Sequence, residues 1–309
     1  MRLIRGLSRW QHEQPSVVTI GNFDGVHLGH QAMFETARLK AMEAGITSTV
    51  ISFEPLPHEY FAKDSAPARL QGLRDRVKSI AATGMDRLLL LDFNAEQAAQ
   101  SAEDFIQDVL VDSVHAHHVI VGDDFRFGHG RRGDASLLRK MGKLNGFTVA
   151  ENATVADSST RISSSRIREA LLNGELSHAE QLLGRPYRIS GRVIHGEKVG
   201  RQLGFPTANV ALGAHRPPLR GVFAVTASDS LRGQSWPAIA NLGERPTIGG
   251  RKLLLEVHLL DASESLYGKQ LSIDFHHFIR GEVRFDSLDE LKAQIARDAD
   301  AARTLLAKS

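Results

Sequence analysis

Between Val17 and about Val149, short apolar runs alternate with stretches of helical period. Val17-Val18-Thr19-Ile20, Thr49-Val50-Ile51-Ser52-Phe53, Leu88-Leu89-Leu90-Leu91 and Val119-Ile120-Val121 are apolar or β-branched over strand length. Such runs mark strands buried on both faces of a parallel sheet. The intervening spacing predicts a helix from His30 to about Ala44, stopped by Gly45, and a second from Leu73 to about Ala82, before Gly84. A third begins at Ser101-Ala102-Glu103-Asp104, a capping-box variant, with Phe105, Val109 and Leu110 on one face. The alternation predicts an α/β fold with a doubly wound parallel sheet.

The texture changes near residue 184. Ser177-His178-Ala179-Glu180 reads as a capping box opening a short helix, which Gly184 is placed to stop and Pro186 keeps from resuming. Beyond it, β-rich runs separated by Gly and Pro extend over Tyr187 to His195, Val222 to Ala227, Ala238 to Leu242, Leu253 to Leu259 and Leu271 to Phe278. They predict an antiparallel sheet or small barrel. A closing helix starts at Ser287-Leu288-Asp289-Glu290, with Leu288, Leu291, Ile295 and Ala299 at helical spacing. With 309 residues there is room for two cores, and the expected domains are 1–183 and 184–309.

Composition narrows the chemistry. The formal net charge of +2 creates no field that demands nucleic acid or an anionic membrane. The absence of cysteine excludes disulfides, thiolate zinc sites, cysteine-ligated iron–sulfur clusters and cysteine nucleophiles. Met1-Arg2-Leu3-Ile4-Arg5-Gly6 lacks an apolar signal core, and no run approaches the length of a membrane span. A cytoplasmic protein with small-molecule partners, and neither nucleic acid nor membrane, is expected.

The richest stretch follows the first strand: Gly21-Asn22-Phe23-Asp24-Gly25-Val26-His27-Leu28-Gly29-His30. Its place predicts a strand-turn-helix corner at the carboxyl end of a strand, where open α/β sheets bind ligands. Gly25 and Gly29 permit close backbone approach, and the new helix offers free N–H groups to an anion. His27 and His30, three apart, are expected on one helical face. A zinc site is disfavoured, because no third ligand stands at metal spacing. Gly21, Phe23, Asp24, Gly25, His27 and His30 together suit a polyphosphate in a charged transition state, which points to nucleotidyl transfer.

Three further segments should gather at the same end. Phe53-Glu54-Pro55-Leu56-Pro57-His58 reads as a stiff loop with an aromatic base, suited to a flat ligand through Phe53, Pro55 and Pro57. In Gly122-Asp123-Asp124-Phe125-Arg126-Phe127-Gly128, Asp123 and Asp124 are placed to bond a ribose or base, and Phe125 and Phe127 to be half core and half ligand wall. In Arg161-Ile162-Ser163-Ser164-Ser165-Arg166-Ile167-Arg168, three serines flanked by three arginines exceed what helix capping requires. Hydroxyls, helix N–H groups and guanidinium forks there suit a triphosphate. Adenylyl transfer from ATP follows as the expected reaction, with positioning and charge stabilisation as its main demands.

In the second half, Gly200-Arg201-Gln202-Leu203-Gly204-Phe205-Pro206-Thr207-Ala208-Asn209 lacks the Gly-Lys-Ser/Thr ending of a Walker loop. Thr207 and Asn209, two apart on an extended segment, face one side. A hydroxyl and an amide oxygen there can form a weak Mg²⁺ site, or simply decorate a glycine-proline turn. Glu256 stands within the apolar run Leu254 to Leu260, so it is either solvated or has a task, and general base for a substrate hydroxyl is the natural one. Asn241 to Thr247 and Pro218 to Phe223 read as tight turns bordering the same cleft.

These segments, in this order, resemble the bacterial bifunctional riboflavin kinase/FMN adenylyltransferases. The resemblance rests on Gly21 to His30, Phe53 to Pro57, Gly122 to Gly128, Arg161 to Arg168, Gly184-Arg185-Pro186-Tyr187, Gly204 to Asn209, Asn241 to Thr247 and Leu255 to Asp261. Ser165 stands where the family often has Thr, and Ala262 where it usually has Phe. The resemblance implies a Rossmann-like nucleotidyltransferase domain converting FMN and ATP to FAD, then a six-stranded antiparallel barrel phosphorylating riboflavin to FMN, both with Mg²⁺. It implies that His27 and His30 serve the adenylyltransferase ATP site, with Arg161, Ser163, Ser164, Ser165 and Arg168 in the phosphate-binding segment. It further implies that Gly204, Phe205, Pro206, Thr207 and Asn209 bind the kinase nucleotide, Thr207 and Asn209 through Mg²⁺, and that Glu256 activates the ribityl 5′-hydroxyl.

Overall fold

Apolar and β-branched runs in the central strands set the architecture of the first half. The computed structural model describes residues 1–11, 13–157, 160–195, 204–229, 231–247, 250–262 and 266–308. These divide into one unit of Met1–Pro67 with Arg76–Ser163, and another of Ala68–Asp75 with Ser164–Ser309.

The first unit holds a parallel sheet of β1 (Arg2–Arg5), β2 (Ser16–Ile20), β3 (Thr47–Glu54), β4 (Arg87–Asp92), β5 (Ala116–Val121) and β6 (Thr148–Glu151). Their spatial order is β1-β4-β3-β2-β5-β6. Successive residues point to opposite faces, so Val18, Ile51, Leu89 and Val119 enter one apolar layer while Val17, Val50, Leu88 and Ile120 enter the other. Both faces are therefore covered, as expected for a doubly wound sheet. The edge strands β1 and β6 escape the sequence pattern because each is short and mostly uncovered, with Ile4 the single buried side chain of β1. The chain builds outward from β2 through β3 and β4, then returns past β2 to place β5 on its other side. The reversal opens a crevice beyond the carboxyl ends of β2 and β5. A short pair, β7 (Ala156–Asp157) and β8 (Thr160–Arg161), follows in this unit.

Helix α1 runs over Leu28–Ala44, two residues earlier than expected, and ends at Gly45 in the left-handed conformation. The predicted Ser101 cap accepts from Asp104 N. Its helix, Ala102–Phe105, widens into π-helical turns over Ile106–Ser113 that keep Ile106, Val109 and Leu110 buried. The Ser177 capping box is not formed. The helix there is Leu176–Leu183, with Glu175 at its start and Ser177 inside it. Leu176 is buried and is drawn into the first turn, whereas the stop at left-handed Gly184 is as expected.

The second unit closes into an antiparallel barrel of β9 (Tyr187–Ile194), β10 (Ala208–Val210), β11 (Gly221–Asp229), β12 (Gln234–Thr247), β13 (Gly250–Leu259) and β14 (Gln270–Arg280), in the order β10-β13-β12-β11-β14-β9. Asn241 to Thr247 is not a turn: it continues β12 and pairs with Glu256 to Gly250. Glycine and proline resemble turn residues in sequence, but a small barrel uses them where strongly bent strands must pair. Pro218 to Phe223 is not a tight turn either: β11 starts at Gly221, with φ of 119°, and Val222 and Phe223 pair with β12. The last helix, Leu288–Leu306, is capped by Ser287, which accepts from Glu290 N at 3.2 Å. Its Ala299 and Ala302 pack on Ala224, Ile239 and Leu260 of the barrel. An ion pair of 2.7 Å from Arg280 to Asp298, which is 3% exposed, fastens the helix to β14.

Phe223 is fully buried, with Phe275 and Phe278 rings centred 5.3 and 5.5 Å away. Phe223→Ala is expected to cost ~3–5 kcal/mol of stability, as a buried aromatic truncation does. Ser287→Ala, which removes only a cap, should cost ~1 kcal/mol. Urea unfolding of the two variants measures both.

Candidate active sites

The first site begins where β2 ends. Phe23 and Val26 take φ of 49° and 43°, left-handed values that strain non-glycine residues, and Gly25 takes 89°. Each strained residue costs on the order of 1–3 kcal/mol. Burial offsets it: Phe23 and Val26 are 2% and 1% exposed and pack in the same apolar layer as Phe34 and Met33. Phe23 thus acts as a floor, its ring 4.7 Å from Phe34 and edge-on to His30 at 5.2 Å. Asp24 is buried in the same turn. Gly21 and Gly29 are held small by neighbours within the corner. An added Cβ would lie 3.0 Å from the Phe23 ring at Gly21 and 3.2 Å from the His27 ring at Gly29.

His27 is the N-cap of α1 rather than part of its helical face. Its Nδ1 accepts from His30 N at 3.4 Å. The two imidazoles nevertheless stack, with centroids 3.6 Å apart and planes at 19°. His30 is half-buried, yet its Nδ1 is sealed from solvent and without a partner among the described residues. Burial, then His27, then Arg161 hold the His30 pKa well below its ordinary value. His30 is therefore a neutral hydrogen-bonding group.

Arg76, which the sequence reading passed over, fastens this corner to β3. Its guanidinium donates to Asn22 O at 2.9 Å, Phe53 O at 2.8 Å and the Glu54 carboxylate at 2.8 Å, and the residue is 1% exposed. The available signal was its i, i+4 spacing with the buried Ile80. Phe53 belongs to the core and meets Phe93 edge-on at 5.7 Å. After Pro55, Pro57 opens the helix Pro57–Ala62, and Glu59 reaches back to accept from Leu56 N at 2.9 Å. The stiff loop is thus partly a capped helix start.

After β5, Asp123 and Asp124 converge on Arg161, with ion pairs of 2.9 and 2.8 Å. Thr154 donates to Asp123 at 2.6 Å, and this bond, helped by Arg161, lowers the Asp123 pKa. Phe125 and Phe127 stack at 5.2 Å, Phe127 buried and Phe125 half-buried. Arg161 and Ser163 lie in the first unit. Ser164, Ser165 and Arg168 lie in the helix Ser164–Leu172 of the second unit, where Arg168 Nε donates to Ala68 O at 2.6 Å.

The second site is a row across three strands. Register places Asn209 of β10 and Asn241 of β12 on either side of Glu256 on β13. Direct cross-strand neighbours share a face, so all three belong to one surface, while Leu255 and Val257 alternate into the core. A cavity of about 230 Å³ lies against this face, lined by Phe205, Thr207, Asn241, Glu256, His258 and Arg280, with the last helix contributing Asp298. Asn209 is 8% exposed behind that lining. His258 Nδ1 donates to Pro206 O at 2.9 Å, and its ring meets Phe205 edge-on at 5.4 Å. His258 thereby fixes the Phe205–Thr207 segment; its only sequence signal was standing two residues from Glu256. Gly204, with φ of 87°, begins the described part of this segment, and Gly200 to Leu203 lie outside the described residues. Asn241 Oδ1 is sealed from solvent without a donor among the described residues, a loss of ~1–3 kcal/mol for an unpaired polar group.

No described helix is long and apolar enough to cross a membrane. Among the described residues no group of three or more His, Cys, Asp or Glu could hold a metal ion. Thr207 and Asn209 instead offer neutral hard oxygen donors.

Comparison with known proteins finds two families along the chain. Residues 9–166 match the FAD synthetase family and residues 183–306 the riboflavin kinase family. A bifunctional riboflavin kinase/FMN adenylyltransferase of Pseudomonas fluorescens is 48% identical over 311 residues, covering 100% of this chain and 99% of the relative. The one from Escherichia coli K12 is 46% identical, covering 98% and 97%. A crystal structure from Streptococcus pneumoniae, described as a macrolide-efflux protein, shares the fold at TM-score 0.84 and 29% identity, over 98% of this chain and 99% of that one. Two family matches in sequence order, and relatives aligned along their whole length, establish that this chain belongs to the bifunctional riboflavin kinase/FMN adenylyltransferases.

Proposed function

We propose that the chain makes FAD from riboflavin in two ATP-dependent steps, with residues 184–309 phosphorylating riboflavin and residues 1–183 adenylylating the FMN produced. The observation that carries this reading is that each half has its own site: the His27–His30 stack beyond β2, and the Asn209–Glu256–Asn241 row on the barrel. The boundary at 184 agrees with the riboflavin kinase match from residue 183, although the two helices before it group with the barrel by contact.

In the barrel, Glu256 takes the proton of the ribityl 5′-hydroxyl as that oxygen attacks the γ-phosphorus of ATP. The bond from γ-phosphorus to the β–γ bridging oxygen breaks, giving FMN and ADP. Thr207 and Asn209 suit Mg²⁺ because they supply neutral oxygens and leave room for water and phosphate ligands. Bound there, the ion supplies positive charge to the nucleotide phosphates.

In the first half, an FMN phosphate oxygen attacks the α-phosphorus of ATP and pyrophosphate leaves. His30 is kept neutral by its surroundings, so it serves as a hydrogen-bond donor to the developing charge rather than as a fixed cation. His27 sets its position by stacking and capping. Arg161, held by Asp123 and Asp124, is placed to exchange those carboxylates for phosphate oxygens. Ser163, Ser164, Ser165 and Arg168 complete the proposed phosphate-binding segment. A cytoplasmic setting with small-molecule partners agrees with the net charge of +2 and the absence of cysteine.

Chromatography of riboflavin, FMN and FAD tests the division of labour. His30→Ala should lower FAD formation from FMN by ~10²–10³ and leave riboflavin phosphorylation unchanged. Glu256→Gln should lower phosphorylation by ~10²–10⁴ and leave FMN adenylylation unchanged; if either variant loses both activities while folded, the two-site reading fails. Chelation by EDTA should stop phosphorylation, and added Mg²⁺ should restore it.

The pH dependence of stability has a definite sign. Unfolded His30 titrates near its ordinary value of about 6.5, whereas native His30 resists protonation. Below that pH the unfolded chain binds a proton that the native chain does not, so acidification destabilises the protein; well above it the effect vanishes. Denaturant unfolding should show a shallower loss of stability between about pH 6.5 and 5 in His30→Gln than in the parent protein.

A further inference from the structure

The kinase reaction as written uses Glu256, Thr207 and Asn209, but not Asn241. Yet Asn241 stands directly opposite Glu256 in the ladder and lines the same cavity. Its Oδ1 is sealed from solvent and has no donor among the described residues. An amide oxygen accepts up to two hydrogen bonds, and a buried one left without any is unfavourable. Such a group in a cavity wall calls for a ligand that brings a donor. Direct cross-strand neighbours have Cβ atoms ~4.5–5.5 Å apart, so a substrate hydroxyl adjacent on the carbon chain to the one facing Glu256 falls within reach of Asn241.

We propose that Asn241 is a riboflavin-binding residue whose Oδ1 accepts a hydrogen bond from the ribityl 4′-hydroxyl and so fixes the 5′-hydroxyl against Glu256. The inference rests on the kinase reading of the barrel.

The test compares riboflavin with 4′-deoxyriboflavin as phosphoryl acceptors for the full-length protein. The parent protein should show a KM up to ~10-fold higher for the deoxy compound, as expected for one neutral hydrogen bond. Asn241→Ala should raise the KM for riboflavin by the same factor, leave the KM for ATP unchanged, and handle 4′-deoxyriboflavin as the parent does. That last result also shows that the variant barrel is folded. Asn241→Asp keeps an acceptor, so it should preserve discrimination between the two flavins. If Asn241→Ala still discriminates like the parent, or if Asn241→Asp abolishes discrimination, the proposal is overturned. The parent protein separates the two levels. Failure to phosphorylate riboflavin at all sinks the kinase reading itself, whereas phosphorylation by the parent, together with unaltered discrimination in Asn241→Ala, sinks only the role of Asn241.

Discussion

The backbone ladder that sets Glu256 between Asn209 and Asn241 fixes the face of the barrel on which that residue stands. Strand side chains alternate with a period of two, so a slip of one residue would turn Glu256 into the barrel and bring Leu255 or Val257 to the cavity. Both of those neighbours are buried, and exposing them while burying a carboxylate would be penalised twice. The apolar alternation of β13 therefore enforces the position of the polar residue. Barrel closure extends the same control to β10, whose three residues are held between β9 and β13.

In the first half, the corresponding control is the reversal of strand order around β2. It leaves a crevice at a place where the chain must leave the sheet and start a helix within a few residues. The left-handed conformations of Phe23 and Val26 accomplish this turn, and their burial holds it. Arg76 completes the arrangement by satisfying the carbonyls of Asn22 and Phe53, so that the corner is fastened to β3 by one buried guanidinium. A lysine there would keep the charge but lose the fork that reaches both carbonyls and Glu54. Stacking of His27 on His30 is the visible product of this bracing.

Much of this was legible without coordinates, for identifiable reasons. Central strands β2, β3 and β4 and the end of β5 are buried on both faces, so they show apolar or β-branched runs. Helix stops at Gly45 and Gly184 follow from the conformational freedom of glycine. Edge strands β1 and β6 left no such trace because they bury too little. Asn241 to Thr247 was misread as a turn because its Asn, Gly and Pro content is that of turns, whereas its pairing partner lies in another segment. Ser177 was misread as a cap because the pattern of polar residues around it carries no information about the burial of Leu176.

By itself, the sequence determined the order of the two halves, their strand types and the residue types available for phosphate chemistry, because these depend on local periodicity and on side-chain identity. Tertiary structure alone decided which of those residues meet. The neutral state of His30 depends on burial and on charges from His27 and Arg161, the latter distant in the chain. Asn241 acquires meaning only through strand register, and Arg76 only through the carbonyls it reaches. Local propensity is written residue by residue, but desolvation, register and shared hydrogen bonds exist only once distant segments occupy the same space.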